Sequence, residues 1–171
     1  VTADDRTPNS LPGSGPRQFL TFSLGAERYG VDILRIQEIR GWSPVTNVPN
    51  LPPHVLGVLN LRGAIVPVID LRVRFGLPSA EFTALTVIVV LSVELADGAR
   101  EIGAVVDTVS DVVDLSPEHL RKTPSLGNTA TAEFIQSLAV VDGRMIIILN
   151  VDELMRHDMQ QVAADDLLSV A

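Results

Sequence analysis

Two apolar runs, Val55 to Leu59 and Ala64 to Ile69, are joined by Asn60-Leu61-Arg62-Gly63. A short Asn- and Gly-bearing link between such runs makes a β-hairpin, and Gly63 can take the positive φ the turn needs. The arrangement returns later, where Phe134 to Val141, Asp142-Gly143 and Met145 to Leu149 form a second hairpin. Each hairpin leads into an Asx residue placed to cap a helix. Asp70 precedes a helical turn over Leu71 to Phe75, ended by Gly76 and Pro78; Asn150, with Glu153 three residues on, resembles a capping box opening a C-terminal helix from about Val151. Pro67 cannot donate to a ladder, so it marks an edge or a bulge where a small barrel bends. This echo, with about five short strands in each half, predicts an all-β fold of two small five-stranded β-barrels packed side by side, with short helices and a C-terminal helix. One sandwich with a terminal helix is the other architecture the pattern allows.

The remaining strands follow from alternation. Leu20, Phe22 and Leu24 share one face of a first strand, Gly25 to Arg28 make a turn, and Tyr29 to Ile33 return. Ile36 to Arg40 is a third short strand, with Ile36, Glu38 and Arg40 on one face and Gln37 and Ile39 on the other. Val45 to Val48 is a further extended piece. Leu85 to Leu95 is nearly all apolar, and its Thr86–Val93 stretch is expected to wall both barrels. Strands over Glu101–Val106 and Thr108–Leu115 precede a polar loop, Ser116 to Asn128, with a helical turn after Pro117. The expected division is a disordered lead-in over 1–16, barrel one over about 17–83, barrel two over about 84–150, and a helix with an acidic tail over 151–171.

Composition narrows the function. The net charge is −8, carried largely by the two ends of the chain, and no basic stripe or polybasic patch is present, which argues against nucleic acid and anionic membrane as partners. There is no cysteine, so disulfides and thiolate metal sites are excluded. No apolar run reaches the roughly 18 residues of a membrane span, and 1–16 has no apolar signal core. Enzyme motifs are equally scarce: there is no G-x-x-x-x-G-K-[ST], H-E-x-x-H or G-x-S-x-G. His54, His119 and His157 stand apart without ligand partners at helical or hairpin spacing. Asp107, Asp111 and Asp114 read as turn and outer-face residues, because the glycine and terminal Glu of a calcium loop are missing. No catalytic residue, cofactor or metal is expected. What remains is surface display: an arginine on a hairpin tip, and more Val, Ile and Leu than small barrels can hide.

Several linked stretches resemble the CheW-like family of bacterial chemotaxis coupling proteins. They are Phe19-Leu20-Thr21-Phe22-Ser23-Leu24-Gly25, Tyr29-Gly30-Val31-Asp32-Ile33-Leu34, Gln37-Glu38-Ile39-Arg40-Gly41 and Gly57-Val58-Leu59-Asn60-Leu61-Arg62-Gly63. Val66-Pro67-Val68-Ile69-Asp70-Leu71-Arg72, Val105-Val106-Asp107, Val109-Ser110-Asp111-Val112 and Arg144-Met145 to Leu149-Asn150 continue the match, in order, from about Gln18 to Met155. Thr108 departs from the glycine often found there. The resemblance implies two SH3-like barrels and a non-enzymatic cytoplasmic adaptor, recruited to membrane receptor arrays through its partners. It implies as partners the histidine kinase CheA, through its own CheW-like regulatory domain, the cytoplasmic tips of chemoreceptors and, by analogy, further copies of the chain. It marks Ile36, Glu38, Gly57, Arg62, Gly63 and Val112 as interface residues. The alternatives are a CheW-like domain from a kinase or receiver-fused coupling protein and, from another class, a small β-barrel hydrolase.

Overall fold

The computed structural model describes residues 17–77, 81–96, 98–121 and 134–161, with side chains to 156 in the last helix. The expected lead-in and acidic tail lie outside these residues. Eleven strands are described: β1 (Arg17–Leu24), β2 (Glu27–Asp32), β3 (Ile36–Gly41), β4 (Val55–Leu61), β5 (Ala64–Asp70), β6 (Val87–Leu95), β7 (Gly98–Val106), β8 (Thr108–Leu115), β9 (Leu120–Arg121), β10 (Ile135–Val141) and β11 (Arg144–Leu149). Helix α1 (Leu71–Arg74) follows β5 and α2 (Val151–Gln161) follows β11, while 3-10 turns span Ile33–Arg35 and Pro117–His119.

The strands form two sheets, in the orders β8-β1-β2-β11-β10-β9 and β3-β6-β7-β5-β4. The middle of the chain makes the second, the central barrel. Its two edge strands are brought together just past β3, where Thr46 and Val58 exchange backbone hydrogen bonds of 3.0 and 2.9 Å. Both ends of the chain make the first, the terminal barrel, in which the edge strands β8 and β9 are separated by a single 3-10 turn. The chain therefore does not divide near residue 83. β1 and β2 leave the expected first barrel and pair with β8 and β11 instead, β11 lying parallel to β2 just as β5 lies parallel to β7. Local alternation specifies which residues make strands, but not which strands pair across a hundred residues.

The echo of hairpin, strand, cap and helix holds closely. Arg62 and Gly63 are the two turn residues between paired Leu61 and Ala64, and Asp142 and Gly143 hold the same places between Val141 and Arg144. All four have positive φ (53°, 89°, 53° and 75°), the two-residue turn that matches strand twist. Asp70 accepts the Arg72 N–H, and Asn150 accepts the Glu153 N–H at 3.1 Å.

Apolar residues fill three clusters. Leu61, Val66, Val68, Ile88, Val90 and Val105 occupy the central barrel; Phe19, Leu115, Ala139, Ile146 and Ile148 occupy the terminal one. The largest cluster lies between the sheets, with Leu20, Phe22 and Leu24 of β1 meeting Val89, Leu91 and Val93 of β6. β6 thus sends Ile88 and Val90 into its own barrel and Val89, Leu91 and Val93 into the shared layer, as its nearly continuous apolar run implies. Tyr29, the single tyrosine, stacks there on Phe22 and Phe75. Burial, with the charge of Glu27, pushes its hydroxyl above the usual 10.0. The folded state thus favours the neutral phenol, so stability is intact below about pH 10 and falls as pH rises through the folded value. Melting curves from pH 8 to 12 should show this fall in the wild type and lose the tyrosine share of it in Tyr29→Phe.

Candidate functional site

The hairpin tip and the β3 edge strand come together through one ion pair. Arg62 Nη1 donates to Glu38 Oε1 at 2.9 Å, and Glu38 Oε2 lies 3.6 Å from Arg40 Nη1. The Arg62 side chain is 69% exposed. Its hydrogen bond to Glu38, with the charges of Glu38 and Glu101, holds its pKa above the ordinary arginine value. One donor of five is thus spent on orientation, and the rest of the planar fork is presented outward. Asn60 Oδ1 accepts the Gly63 N–H at 2.9 Å and pins the turn beneath it. An exposed pair of this kind contributes little to stability, so its role is to aim the guanidinium.

β3 departs from simple alternation. A register shift between Ile36 and Glu38 places Ile36 opposite Leu91 and Ile39 opposite Val89, both on the shared-layer face. Glu38 and Arg40 face the opposite way, beside Val90 and Ile88. Ile36 therefore does not share the Glu38 face. It is half-buried against the shared layer, while Ile39 is exposed. The bulge is one extra residue that period-two counting cannot see.

The other candidates sit elsewhere. Val112 is exposed on β8, opposite Leu20 in the terminal barrel. Gly57 is buried, and its φ of 152° brings it against its own chain: a Cβ added there would lie 2.0 Å from the Thr46 carbonyl oxygen. Its close approach is internal, at the seam of the central barrel. Gly63 has open space around it, so its demand is positive φ alone.

Of the three aspartates in the Asp107–Asp114 stretch, two have structural partners. Asp107 accepts Arg72 Nη1 at 3.1 Å and the Gly25 N–H at 2.8 Å, and Asp111 accepts the Thr21 hydroxyl at 2.7 Å. Asp114 lies exposed opposite Gln18. The three do not converge, and among the described residues no group of three or more His, Cys, Asp or Glu is placed to hold a metal. His119 Nδ1 lies 3.0 Å from the Ser116 hydroxyl, but it also accepts the Ser116 backbone N–H at 3.1 Å. A nitrogen capping a turn is a poor general base, and no carboxylate orients this ring among the described residues.

The residue sequence reasoning missed is Arg72. It is 1% exposed and forks onto Asp70, with Nε to Oδ1 and Nη2 to Oδ2 both at 2.9 Å. The Asp-Leu-Arg run holds the signal: a cap at the end of an apolar strand and a cation two residues on.

Comparison with known proteins matches this arrangement to a family. The model of the CheW-like domain matches residues 18–159. This chain belongs to the CheW family. It is 43% identical to the chemotaxis protein CheW of Klebsiella aerogenes over 142 residues, 83% of each chain. It is 35% identical to that of Rhizobium meliloti over 150 residues, 88% of this chain and 94% of the relative. The crystal structure of the scaffolding protein TtCheW from Thermoanaerobacter tengcongensis superposes with a TM-score of 0.70 at 32% identity, covering 78% of this chain and 88% of that one. The CheW fold accounts for the two barrels, and membership makes the chain a chemotaxis adaptor. No helix among the described residues is long and apolar enough to cross a membrane.

Proposed function

We propose that this chain couples the cytoplasmic tips of chemoreceptors to the histidine kinase CheA, through the kinase's CheW-like regulatory domain, and that it works without catalysis in the cytoplasm at membrane-bound receptor arrays. The relatives it matches along most of their length carry the coupling protein's name rather than a kinase's, which favours the coupler over a kinase regulatory domain.

The observation that carries the interface is the backbone of Arg62. An arginine at φ 53° occupies a conformation that glycine adopts at no steric cost and that other residues adopt at about 1–2 kcal/mol. Such strain is retained where the side chain has work to do. The side chain is exposed and held by Glu38, so its work is outward. A planar donor fork suits carboxylates and helix-end carbonyls of a helical partner. Glu38, Arg62 and the Gly63 turn form one patch, with Ile36 and Val112 as apolar contributions on other faces.

Arg62→Gly separates folding from coupling. It removes the fork and relieves the backbone, so the melting temperature should equal or slightly exceed wild type. Capture of the receptor fragment or the CheA regulatory domain should weaken on the order of ten-fold or more, as for an interfacial arginine anchor. A pull-down against both partners checks this. Capture of both by the wild type and weaker capture of at least one by Arg62→Gly supports the proposal; capture of neither by folded wild type removes it. Exchanging the pair, Glu38→Arg with Arg62→Glu, should leave the protein folded, with a small loss from the new Arg beside Arg40, and not restore capture, because the partner reads the position of the positive fork.

A further inference from the structure

The shared layer between the barrels is apolar, and apolar burial is non-directional. It holds the barrels together, and the contacts with a fixed direction lie at its margins. Two ion pairs flank it. In the first, Arg72 of α1 donates through Nη1 to Asp107 Oδ1 at 3.1 Å. Asp107 lies on the crossover from β7 of the central barrel to β8 of the terminal barrel, and its Oδ2 accepts the Gly25 N–H at the end of β1 at 2.8 Å. In the second, Asp152 of α2 accepts Arg35 Nη2 at 2.6 Å through Oδ2. Arg35 lies on the other crossover, from β2 of the terminal barrel to β3 of the central one, and Asp152 Oδ1 accepts the Glu94 N–H of β6 at 2.8 Å.

These two sets are counterparts under the internal repeat. Gly30 and Gly103 match, because each faces the parallel neighbour, at Ile148 and Val68 respectively. Their partners Thr21 and Val90 therefore match, and four residues along each strand come Gly25 and Glu94. Arg72 and Asp152 are each the second residue of a helix, two past an Asx cap. Each set thus has one arginine, one aspartate and one backbone N–H in equivalent places, bridging a helix that grows from one barrel to a strand end of the other. The charges are reversed: the crossover carries the aspartate in the first set and the arginine in the second.

We propose that Arg72–Asp107 and Arg35–Asp152 are a matched pair of clamps that hold the two barrels at one angle, and that these four are positioning residues for coupling. A carboxylate bridging a guanidinium and a backbone N–H fixes direction as well as distance. The first half stands on the geometry alone; the link to coupling rests on the adaptor reading above.

The second clamp is the one to test, because its side chains are 32% and 20% exposed and their loss leaves the cores intact. The chain has no cysteine, so Ala99→Cys and Ser110→Cys, exposed on the central and terminal barrels, take spin labels selectively. The full chain carrying both labels should give one narrow distance distribution. Arg35→Asp, which sets two acids face to face, should broaden it, keep partner capture and lose receptor control of the kinase in reconstituted arrays. Arg35→Asp with Asp152→Arg copies the polarity of the first clamp and should restore both the narrow distribution and control. A folded Arg35→Asp variant with the wild-type distribution overturns the clamp. A broadened distribution with intact kinase control overturns its role in coupling. Failure of the wild type to capture either partner would fell the adaptor reading, while the distances would still judge the clamp.

Discussion

Gly57→Ala is expected to lower folding stability by about 3 kcal/mol or more, combining overpacking and backbone strain. The added Cβ would sit 2.0 Å from the Thr46 carbonyl oxygen, 2.8 Å from its carbon and 3.1 Å from Val45 Cγ2. The first two are backbone atoms and cannot swing aside. Thr46 is also the residue whose paired hydrogen bonds with Val58 join the edges of the central barrel, so the methyl must push that seam open. In a chain of this size the loss corresponds to a melting temperature lower by about 10 °C. Gly63→Ala is the control: φ is also positive, but nothing lies within 4 Å, so only the strain of about 1–2 kcal/mol remains. Thermal melts of the two variants side by side check the account. Equal, small losses would show that the seam yields to a methyl. A Gly57 variant that still captures partners when cooled below its melt would assign this glycine to folding rather than to the interface.

The elements of this fold are legible locally. Both hairpins, both Asx caps and the doubly buried β6 follow from spacing and turn chemistry at Arg62-Gly63, Asp142-Gly143, Asp70, Asn150 and Val87 to Leu95. The barrel membership of β1 and β2 was not legible, because Leu20, Phe22 and Leu24 read as a half-buried strand whether they pair with β8 or with β3. Sequence order favours the near neighbour, whereas the repeat requires the far one: β8, β10, β11 and α2 need two further strands to match β3 to β7, and the chain supplies them from its beginning. The interface was legible in part. Arg62 and Glu38 are drawn together as an exposed pair, but the bulge between Ile36 and Glu38 turns Ile36 to the other face. Gly57 shows why a glycine is ambiguous in one sequence: permission for close approach does not say whether a partner or the chain's own backbone approaches. Asp107 reads in the sequence as a turn or outer-face residue, and Arg72 as one more surface cation, because aspartate and arginine are usually solvated; only the folded crossover brings the two together at the barrel junction.

Arg72→Leu should be the most damaging of the charge substitutions, costing about 3–5 kcal/mol, because it strands a buried carboxylate. Asp70 is 3% exposed and gives both oxygens to this one guanidinium. Removing the arginine leaves that charge buried, with the backbone N–H of residue 72 as its remaining partner among the described residues. The strongly destabilising element is the orphaned aspartate rather than the lost attraction, and a second substitution separates the two. Asp70→Asn keeps an Asx oxygen to cap α1, as Asn150 does at the start of α2, and removes the charge. Asp70→Asn with Arg72→Leu should therefore be clearly more stable than Arg72→Leu alone, although it lacks the same ion pair. Urea midpoints of wild type, both single variants and the double variant close a thermodynamic cycle for the pair. If the double variant is as unstable as Arg72→Leu, the contacts of Arg72 beyond Asp70 dominate: its bond to Asp107 and its stacking over the Phe82 ring at 5.1 Å. If stability returns, the buried pair is nearly neutral in net energy, and its retention is explained by the direction it imposes on α1 and, through Asp107, on the junction between the barrels.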